Sequence, residues 1–227
     1  MTTSWTDSQI GFTVPASLSG PQAISITRSD GATGYNTVTI QVLARAFGAN
    51  SATNPAVFEV GPGKQYATVQ AAINAARPTL LRRYSLVVVW PNAQTSANPR
   101  GEYTENLLVG HRMRIQGVGP GGFTASGDYV PGSVIDGLGF NPDNAQGAAW
   151  LTLLTSLRYT GDPQVPDGAV VTFLHDPLEL GLYDPALDGF TITGGVQQNF
   201  PANVNTLPGA VSTPYGGRYH RTSAPVR

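Results

Sequence analysis

Two aspartates that each precede a glycine are the first candidates for chemistry in this sequence. Asp136 and Asp188 both follow an aliphatic residue and sit in the same local context. Glycoside hydrolysis needs two carboxylates about 5 to 9.5 Å apart, and strands stacked roughly 4.8 Å apart could supply them if both acids occupied matching positions. Aspartate before glycine more often bonds its own backbone in a turn, so we favour the turn over a catalytic pair.

A second group of polar side chains could bind a cation. Asn141, Asp143 and Asn144 place three oxygen-bearing side chains within one short stretch. Calcium takes six to eight oxygen ligands, often from carboxylates, so a Ca²⁺ site here is possible, but a surface turn is the preferred interpretation. The three histidines are too far apart in the sequence to predict a zinc site or a nucleophile–histidine pair.

Basic and aromatic residues offer a third possibility, which is contact with an anionic sugar. Arg112 and Arg114 are separated by one residue, so on a strand they share a face. The simpler interpretation is a solvated strand face. Tyr103 could stack on a sugar ring, as could Trp90 and Tyr129, although aromatic side chains at strand junctions more often cover the core.

Composition argues against several classes of function. Thirteen basic and fourteen acidic residues leave a net charge of -1, without the basic excess of a nucleic-acid or membrane-surface protein. No apolar run reaches the roughly 18 to 20 residues that span a bilayer. The chain has no cysteine, which excludes disulfides and thiolate metal sites.

The first 43 residues predict short β-strands at 10–14, 23–27 and 37–43, too few to close a sandwich. Their motifs are WTDSQI at 5–10, VP at 14–15, GP at 20–21, DG at 30–31 and TVTIQVL at 37–43. This segment resembles the second half of an IPT/TIG-type immunoglobulin-like module, a kind common in large secreted and surface proteins. The resemblance implies a partial immunoglobulin-like β-sandwich at 1–43, and the small, polar residues 44–56 predict a linker.

Beyond residue 57 the pattern changes to a short helix followed by strands. Thr68 is a plausible N-cap, and Val69, Ala72, Ile73 and Ala76 form an apolar stripe at helical spacing. Short strands rich in β-branched residues are predicted at 58–60, 86–90, 102–109, 112–118, 133–138, 169–174 and 187–193.

The spacing of these strands indicates a solenoid. Ile115 and Ile135, and again Val171 and Ile192, lie about 20 residues apart, a period typical of coils that each contribute one strand. The two Asp-Gly pairs then predict the same corner in two different coils. Apolar residues at helical spacing in 150–157 predict an inserted helix on the flank.

The motifs of this region carry a second resemblance. They are VGPGKQYATVQAAINAA at 60–76, LVVVWP at 86–91, GEYTENLLV at 101–109, MRIQGVGPGG at 113–122, SVIDG at 133–137 and LDGFTITGG at 187–195. Together they resemble the N-terminal end of a right-handed, single-stranded parallel β-helix of the pectin-lyase-like superfamily. The resemblance implies an all-β fold in which 57–195 form the first few coils and the short helix caps the open end. Residues 196–227 predict an irregular tail without further coils.

Enzymes of that superfamily act on acidic polysaccharides, through Ca²⁺-binding carboxylates with an Arg or Lys base in lyases and through clustered aspartates in hydrolases. Those groups belong to central coils, which this sequence largely lacks. We therefore expect a non-catalytic structural or carbohydrate-adhesion segment of a larger secreted or cell-surface protein, with a polysaccharide or surface glycan as partner. The alternative is a fragment of a lyase or hydrolase whose active coils lie outside this chain.

Overall fold

A computed structural model describes residues 2–6, 10–33, 38–43, 51–137, 152, 170–173 and 180–195. These residues are mostly β-strand with one short helix, as expected for an all-β protein. The elements are β1 (Thr2–Trp5), β2 (Ile10–Phe12), β3 (Gly20–Ile24), β4 (Val38–Val42), β5 (Ala56–Val60), α1 (Val69–Ala75), β6 (Ser85–Val89), β7 (Tyr103–Thr104), β8 (Leu107–Val109), β9 (Arg114–Gly117), β10 (Gly122–Phe123), β11 (Tyr129–Val130), β12 (Ser133–Asp136), β13 (Val171–Phe173), β14 (Ala186–Asp188) and β15 (Phe190–Thr193).

The chain divides into two compact units. One unit comprises Met1–Glu102, Arg112–Val134 and Leu180–Thr191, and the other comprises Tyr103–His111, Ile135–Glu179 and Ile192–Arg227. The predicted linker residues 44–50, the predicted inserted helix apart from residue 152, and the predicted tail 196–227 lie outside the described residues.

The first unit begins with two antiparallel strand pairs, β1–β2 and β3–β4. The strands predicted at 10–14, 23–27 and 37–43 correspond to β2, β3 and β4 with shifted bounds, whereas β1 was not predicted. These four strands form two-stranded sheets of their own.

The main sheet of the first unit is parallel throughout its four strands, in the order β14-β9-β6-β5. Val87 of β6 lies opposite Phe58 on one side and Ile115 of β9 on the other, and Ile115 in turn lies opposite Leu187. Val87 and Ile115 are almost completely buried. The continuous apolar run predicted at 86–90 forms strand β6, which has a parallel strand along each edge.

Helix α1 packs against β5 and β6. Thr68 caps its N-terminus, because the Thr68 side-chain oxygen accepts a hydrogen bond from the Ala71 N–H at 3.3 Å. At the other end the guanidinium of Arg82 donates to the carbonyl oxygens of Ala75 at 2.8 Å and Arg77 at 2.7 Å. These bonds satisfy carbonyl groups that a helix C-terminus leaves without partners. The predicted helix is confirmed, and its apolar stripe, Val69, Ala72, Ile73 and Ala76, is buried.

Strand pairing in the second unit is also parallel. Ile135 and Asp136 of β12 lie opposite Tyr103 and Thr104 of β7, and β13 pairs with β8 in register. The amide of Leu107 donates to the carbonyl oxygen of Val170 at 2.7 Å. In the sheet order β12 lies between β15 and β7.

The predicted repeat of about 20 residues is wrong in its register. Ile115 and Ile135 were expected at equivalent positions, but Ile115 lies in β9 and Ile135 in β12, which belong to different sheets. The positions that do align are Val87, Ile115 and Leu187. A spacing of 20 residues does not identify equivalent positions here, because several strands, including the hairpin β10–β11, lie in the sequence between successive strands of one sheet.

Close backbone packing explains two glycines, Gly117 at the end of β9 and Gly189 directly after β14. A Cβ atom at Gly117 would collide with the carbonyl oxygen of Gly189 and lie 2.8 Å from the Cβ of Ser133. Gly189 has φ +77°, a left-handed conformation that separates β14 from β15 at a sharp corner. The predicted single strand at 187–193 is therefore two strands.

Candidate ligand-binding surface

The two arginines considered as contacts for an anionic sugar are engaged by their own chain. Arg112 donates from Nε to the Tyr183 carbonyl oxygen and from Nη2 to Asp184 Oδ1, both at 2.9 Å. The Arg114 guanidinium lies 4.7 Å from the centre of the Tyr183 ring. Met113, between them, is completely buried, so the predicted alternation holds. Their contacts join β9 to the segment before β14.

Tyr183 organises this arrangement, and sequence reasoning missed it. Its hydroxyl donates to the Ala52 carbonyl oxygen at 2.7 Å, and its ring meets the ring of Tyr84 edge-on at 5.1 Å. Burial raises the pKa of Tyr183 to about 12. No local pattern in the sequence pointed to this residue, because its partners are distant along the chain.

Tyr103 is a core residue. It is 3% exposed and lies opposite Ile135 in the strand register. Burial, with a smaller contribution from the Glu105 carboxylate, raises the pKa of Tyr103 to about 12. The ring therefore has no free face for a sugar, which agrees with the tendency of such aromatic residues to cover the core.

The raised pKa of Tyr103 predicts a loss of stability at alkaline pH. An isolated tyrosine ionises near pH 10.0, whereas folded Tyr103 keeps its proton to about 12. As the pH rises, Tyr103 loses its proton in the unfolded chain before it does so in the folded chain. Its contribution to the free energy of unfolding should therefore be constant below pH 10 and should fall between pH 10 and 12. Tyr103→Phe should make that fall less steep, as measured by denaturant unfolding across this range. If the free energy of unfolding falls equally steeply with pH in the variant and the wild type, Tyr103 does not have a raised pKa.

The two candidate aspartates are not equivalent, which corrects the prediction of matching positions. Asp136, 3% exposed, lies opposite Thr104, whereas Asp188 lies opposite Gln116 in a different sheet. Neither lies opposite a carboxylate in these strand pairs, so adjacent strands do not supply the carboxylate pair that glycoside hydrolysis needs. Gly189, following Asp188, makes the corner that the turn interpretation anticipated.

Cation binding can be assessed for part of the chain. Asn141, Asp143 and Asn144, the candidate Ca²⁺ ligands, lie outside the described residues. Within the part that is described, no three His, Cys, Asp or Glu side chains group as metal ligands would. The same part contains no helix long and apolar enough to cross a membrane.

An exposed aromatic ring stands on the hairpin β10–β11. Phe123 is 75% exposed, and its ring lies 5.4 Å from that of Tyr129, the residue opposite it. The Tyr129 hydroxyl donates to the carbonyl oxygen of Arg100 at 3.0 Å, which ties the hairpin to a neighbouring loop. Tyr129 therefore contacts the exposed Phe123 ring from the neighbouring strand and is itself held by the Arg100 carbonyl group.

Polar groups in the turn of the same hairpin are held in place. Ser126 donates from its hydroxyl to Asp128 Oδ2 at 2.6 Å, and the Asp128 amide donates to Thr124 Oγ1 at 3.0 Å. The Thr124 amide donates to the Asp128 carbonyl oxygen at 2.8 Å. Hydroxyl and carboxylate groups thus lie in the turn that follows the exposed ring.

A second aromatic cluster lies where β5 and β6 end. The indole N–H of Trp90 donates to Glu59 Oε1 at 2.8 Å, and Lys64 donates to the same oxygen at 3.1 Å. Lys64 also lies 4.6 Å from the centre of the Trp90 ring, and Trp90 remains 39% exposed. The hydrogen bonds from Lys64 and Trp90 lower the pKa of Glu59, so its carboxylate is ionised at neutral pH.

The chain thus has two separate candidate ligand-binding clusters: one is Phe123 with Tyr129 and the turn, and the other is Trp90 with Glu59 and Lys64. Trp90 and Tyr129 were considered in the sequence as stacking residues, whereas Phe123 was not. The available signal was an aromatic residue between paired glycines and a Ser-Gly-Asp turn. No family model, curated protein or solved structure matches the chain.

Proposed function

We propose that this chain is a non-catalytic carbohydrate-adhesion segment of a larger secreted or cell-surface protein. Its scaffold is the start of a right-handed parallel β-helix, preceded by a partial immunoglobulin-like module. The observation that carries the proposal is the 75% exposed Phe123 ring on a hairpin secured by hydrogen bonds. A flat apolar ring beside fixed polar groups suits a sugar, which has an apolar face and hydroxyl edges.

The β-helix part of the proposal is supported by the pairing of the strands. The parallel pairs β5–β6, β6–β9 and β9–β14 are formed by strands in chain order. Strands β7 and β8 follow β6, and their parallel partners β12 and β13 follow β9. Each pass of the chain thus adds strands to several parallel sheets. Helix α1 covers the edge strand β5, the place of a cap.

The Trp90 cluster supports the same function with different chemistry. Its carboxylate and ammonium groups offer a hydrogen-bond acceptor and donors beside a partly exposed ring. The mutual neutralisation of Glu59 and Lys64 favours neutral sugars over strongly anionic ones here. Aromatic side chains of this kind bring contact area with little loss of side-chain entropy, which suits weak adhesion.

The alternative function, a fragment of a polysaccharide lyase or hydrolase, has less support. Asp136 and Asp188 lie in different sheets, and Arg112 is held by Asp184 and Tyr183 rather than free to act as a base. Incubation with polygalacturonate and Ca²⁺ should yield no unsaturated product. Turnover by the wild-type chain would favour the enzyme.

Binding to immobilised polysaccharides, neutral ones as well as the acidic pectin and alginate, tests the adhesion function. Phe123→Ala should weaken binding roughly tenfold, which corresponds to about 1.4 kcal/mol, because the stacking ring is lost. Val130→Ala is the matched control, since Val130 is an exposed, non-aromatic residue of the same hairpin. Equal affinity of the two variants would count against the Phe123 surface, and no binding by the wild type at millimolar sugar would leave a structural role alone.

A further inference from the structure

The turn after helix α1 carries the two most exposed large hydrophobic side chains among the described residues. Leu80 is 78% exposed and Leu81 is 89% exposed. They lie between Thr79 and Arg82, whose backbones exchange hydrogen bonds at 2.7 and 3.1 Å and so close the turn. Turns usually carry glycine, proline or short polar residues at such positions. Two adjacent exposed leucines therefore indicate a surface that contacts an apolar partner.

The core holds this turn in place. The Arg82 guanidinium, which donates to two carbonyl groups at the end of α1, also lies 4.9 Å from the centre of the buried Phe58 ring. The Arg82 N–H donates to Thr79 Oγ1 at 3.1 Å. The leucines are thus presented on a fixed, projecting tip rather than in a groove. A protein partner would need a pocket shaped for this tip, whereas a lipid bilayer accepts apolar side chains at its surface without a preformed pocket.

Two further exposed leucines lie beside Arg83, two residues after Leu81. The Leu182 N–H donates to the Arg83 carbonyl oxygen at 2.9 Å, and Arg83 Nε donates to the Leu180 carbonyl oxygen at 3.2 Å. Leu180 is 36% exposed and Leu182 is 41% exposed. These residues extend the apolar surface of the turn, and we call the four together the leucine patch: Leu80, Leu81, Leu180 and Leu182.

Three arginines flank the two leucines of the turn: Arg77, Arg82 and Arg83. They belong to a stretch, residues 60–101, that contains five basic and no acidic residues. The glutamates that border this stretch, Glu59 and Glu102, already pair with Lys64 at 3.1 Å and Arg100 at 3.5 Å. The turn is therefore locally positive, although the whole chain has a net charge of -1. The overall composition does not reveal this local excess.

We infer that the leucine patch and its three arginines dock the chain on a lipid bilayer that contains anionic phospholipids. The leucine side chains enter the boundary between headgroups and acyl chains, and the guanidinium groups bind phosphate oxygens above it. A bilayer with anionic lipids offers both kinds of contact at one surface, which matches an apolar tip flanked by cations. Docking does not depend on the adhesion function, because the patch shares no residue with the Phe123 or Trp90 cluster.

Co-sedimentation of the full chain with vesicles tests the inference. The wild type should bind vesicles of equal parts phosphatidylcholine and phosphatidylglycerol, and should bind pure phosphatidylcholine vesicles much more weakly. Leu81→Ser should weaken binding roughly tenfold, because the burial of one leucine is lost. Ile26→Ser is the matched control, since Ile26 is 43% exposed and lies outside the patch. Equal losses in the two variants would overturn the inference, and so would a wild type that binds neither kind of vesicle.

Removal of single charges separates a contact at the turn from general attraction. Arg77→Gln should weaken binding to the anionic vesicles roughly fivefold, the contribution of one basic residue near an anionic surface. Arg28→Gln changes the net charge equally, but Arg28 pairs with Asp30 at 3.0 Å outside the patch, so its effect should be small. Losses of the same size in both variants would show that the attraction does not arise at the turn and would refute the docking surface.

A fluorescent label reports insertion at the turn itself. The chain has no cysteine, so Leu81→Cys and Ile26→Cys each introduce a single thiol for a polarity-sensitive dye. On addition of anionic vesicles, emission from the dye at residue 81 should shift to shorter wavelength and be quenched by spin labels on the acyl chains. The dye at residue 26 should show neither change. An unchanged dye at residue 81 while the wild type binds vesicles would place the contact elsewhere and refute the proposed surface.

Discussion

Replacing Ile73 with aspartate should lower the free energy of unfolding by roughly 3–5 kcal/mol, a large share of the 5–15 kcal/mol typical of a domain. Ile73 is 1% exposed and lies on the buried side of α1, which packs against β5 and β6. Aspartate there would lose the apolar contacts and would leave a buried carboxylate that must find a partner or take up a proton. Chemical denaturation monitored by circular dichroism measures the change.

Asn74→Asp is the control for this prediction, because it introduces the same side chain one position away. Asn74 is exposed, and its side-chain oxygen accepts a hydrogen bond from Gln70 at 2.9 Å, which a carboxylate can also accept. Its effect should be about 0.5 kcal/mol or less. Loss of the helix would expose the edge of β5, so Ile73→Asp should also aggregate more readily. Equal melting temperatures and equal solubility for both variants would contradict the capping role of α1.

Two buried serines should respond in opposite ways to removal of their hydroxyl groups. The Ser133 hydroxyl donates to the Val89 carbonyl oxygen at 2.6 Å and accepts from the Val118 N–H at 2.9 Å. Ser133→Ala removes both bonds, and the groups left without a partner should lower the free energy of unfolding by about 1–3 kcal/mol.

Ser85 is the matched comparison for Ser133. It is completely buried, but its hydroxyl has no hydrogen-bond partner among the described residues. Removing a buried hydroxyl without a partner removes its desolvation cost, so Ser85→Ala should leave stability unchanged or raise it slightly. The two alanine variants differ by one atom from the wild type at each site. A larger loss for Ser85→Ala than for Ser133→Ala would show that these hydroxyl contacts do not determine stability.

Helix α1 and strand β6 were the most predictable features. A stripe of apolar residues at helical spacing, preceded by Thr68 and followed by Pro78, is encoded within a few residues of sequence. Likewise the apolar run at 86–90 predicts a strand in the core, and most of it forms β6. Such features depend on local propensity and burial, so they could be derived without knowledge of distant residues.

The candidate site was less predictable, because it depends on contacts between residues that are distant along the chain. Arg112 and Arg114 flank the buried Met113, although Arg112 lies outside β9, and Tyr183 and Asp184, which engage them, come from far along the chain. Phe123 became a candidate once its exposure and its support by Tyr129 were known. Exposure of an aromatic ring depends on what the rest of the chain covers, and a short sequence window does not contain that information.

The sequence by itself determined that this chain is strand-rich, where α1 lies, and that residues 1–43 are too few to enclose a core. Local hydrogen bonding, capping and the alternation of apolar residues decide those features. The tertiary structure alone decided which strands pair, and so placed Asp136 and Asp188 in different sheets and Tyr103 in the core. Pairing partners depend on the lengths of the intervening segments and on the total apolar surface that each sheet buries, and these are properties of the whole chain rather than of any one motif.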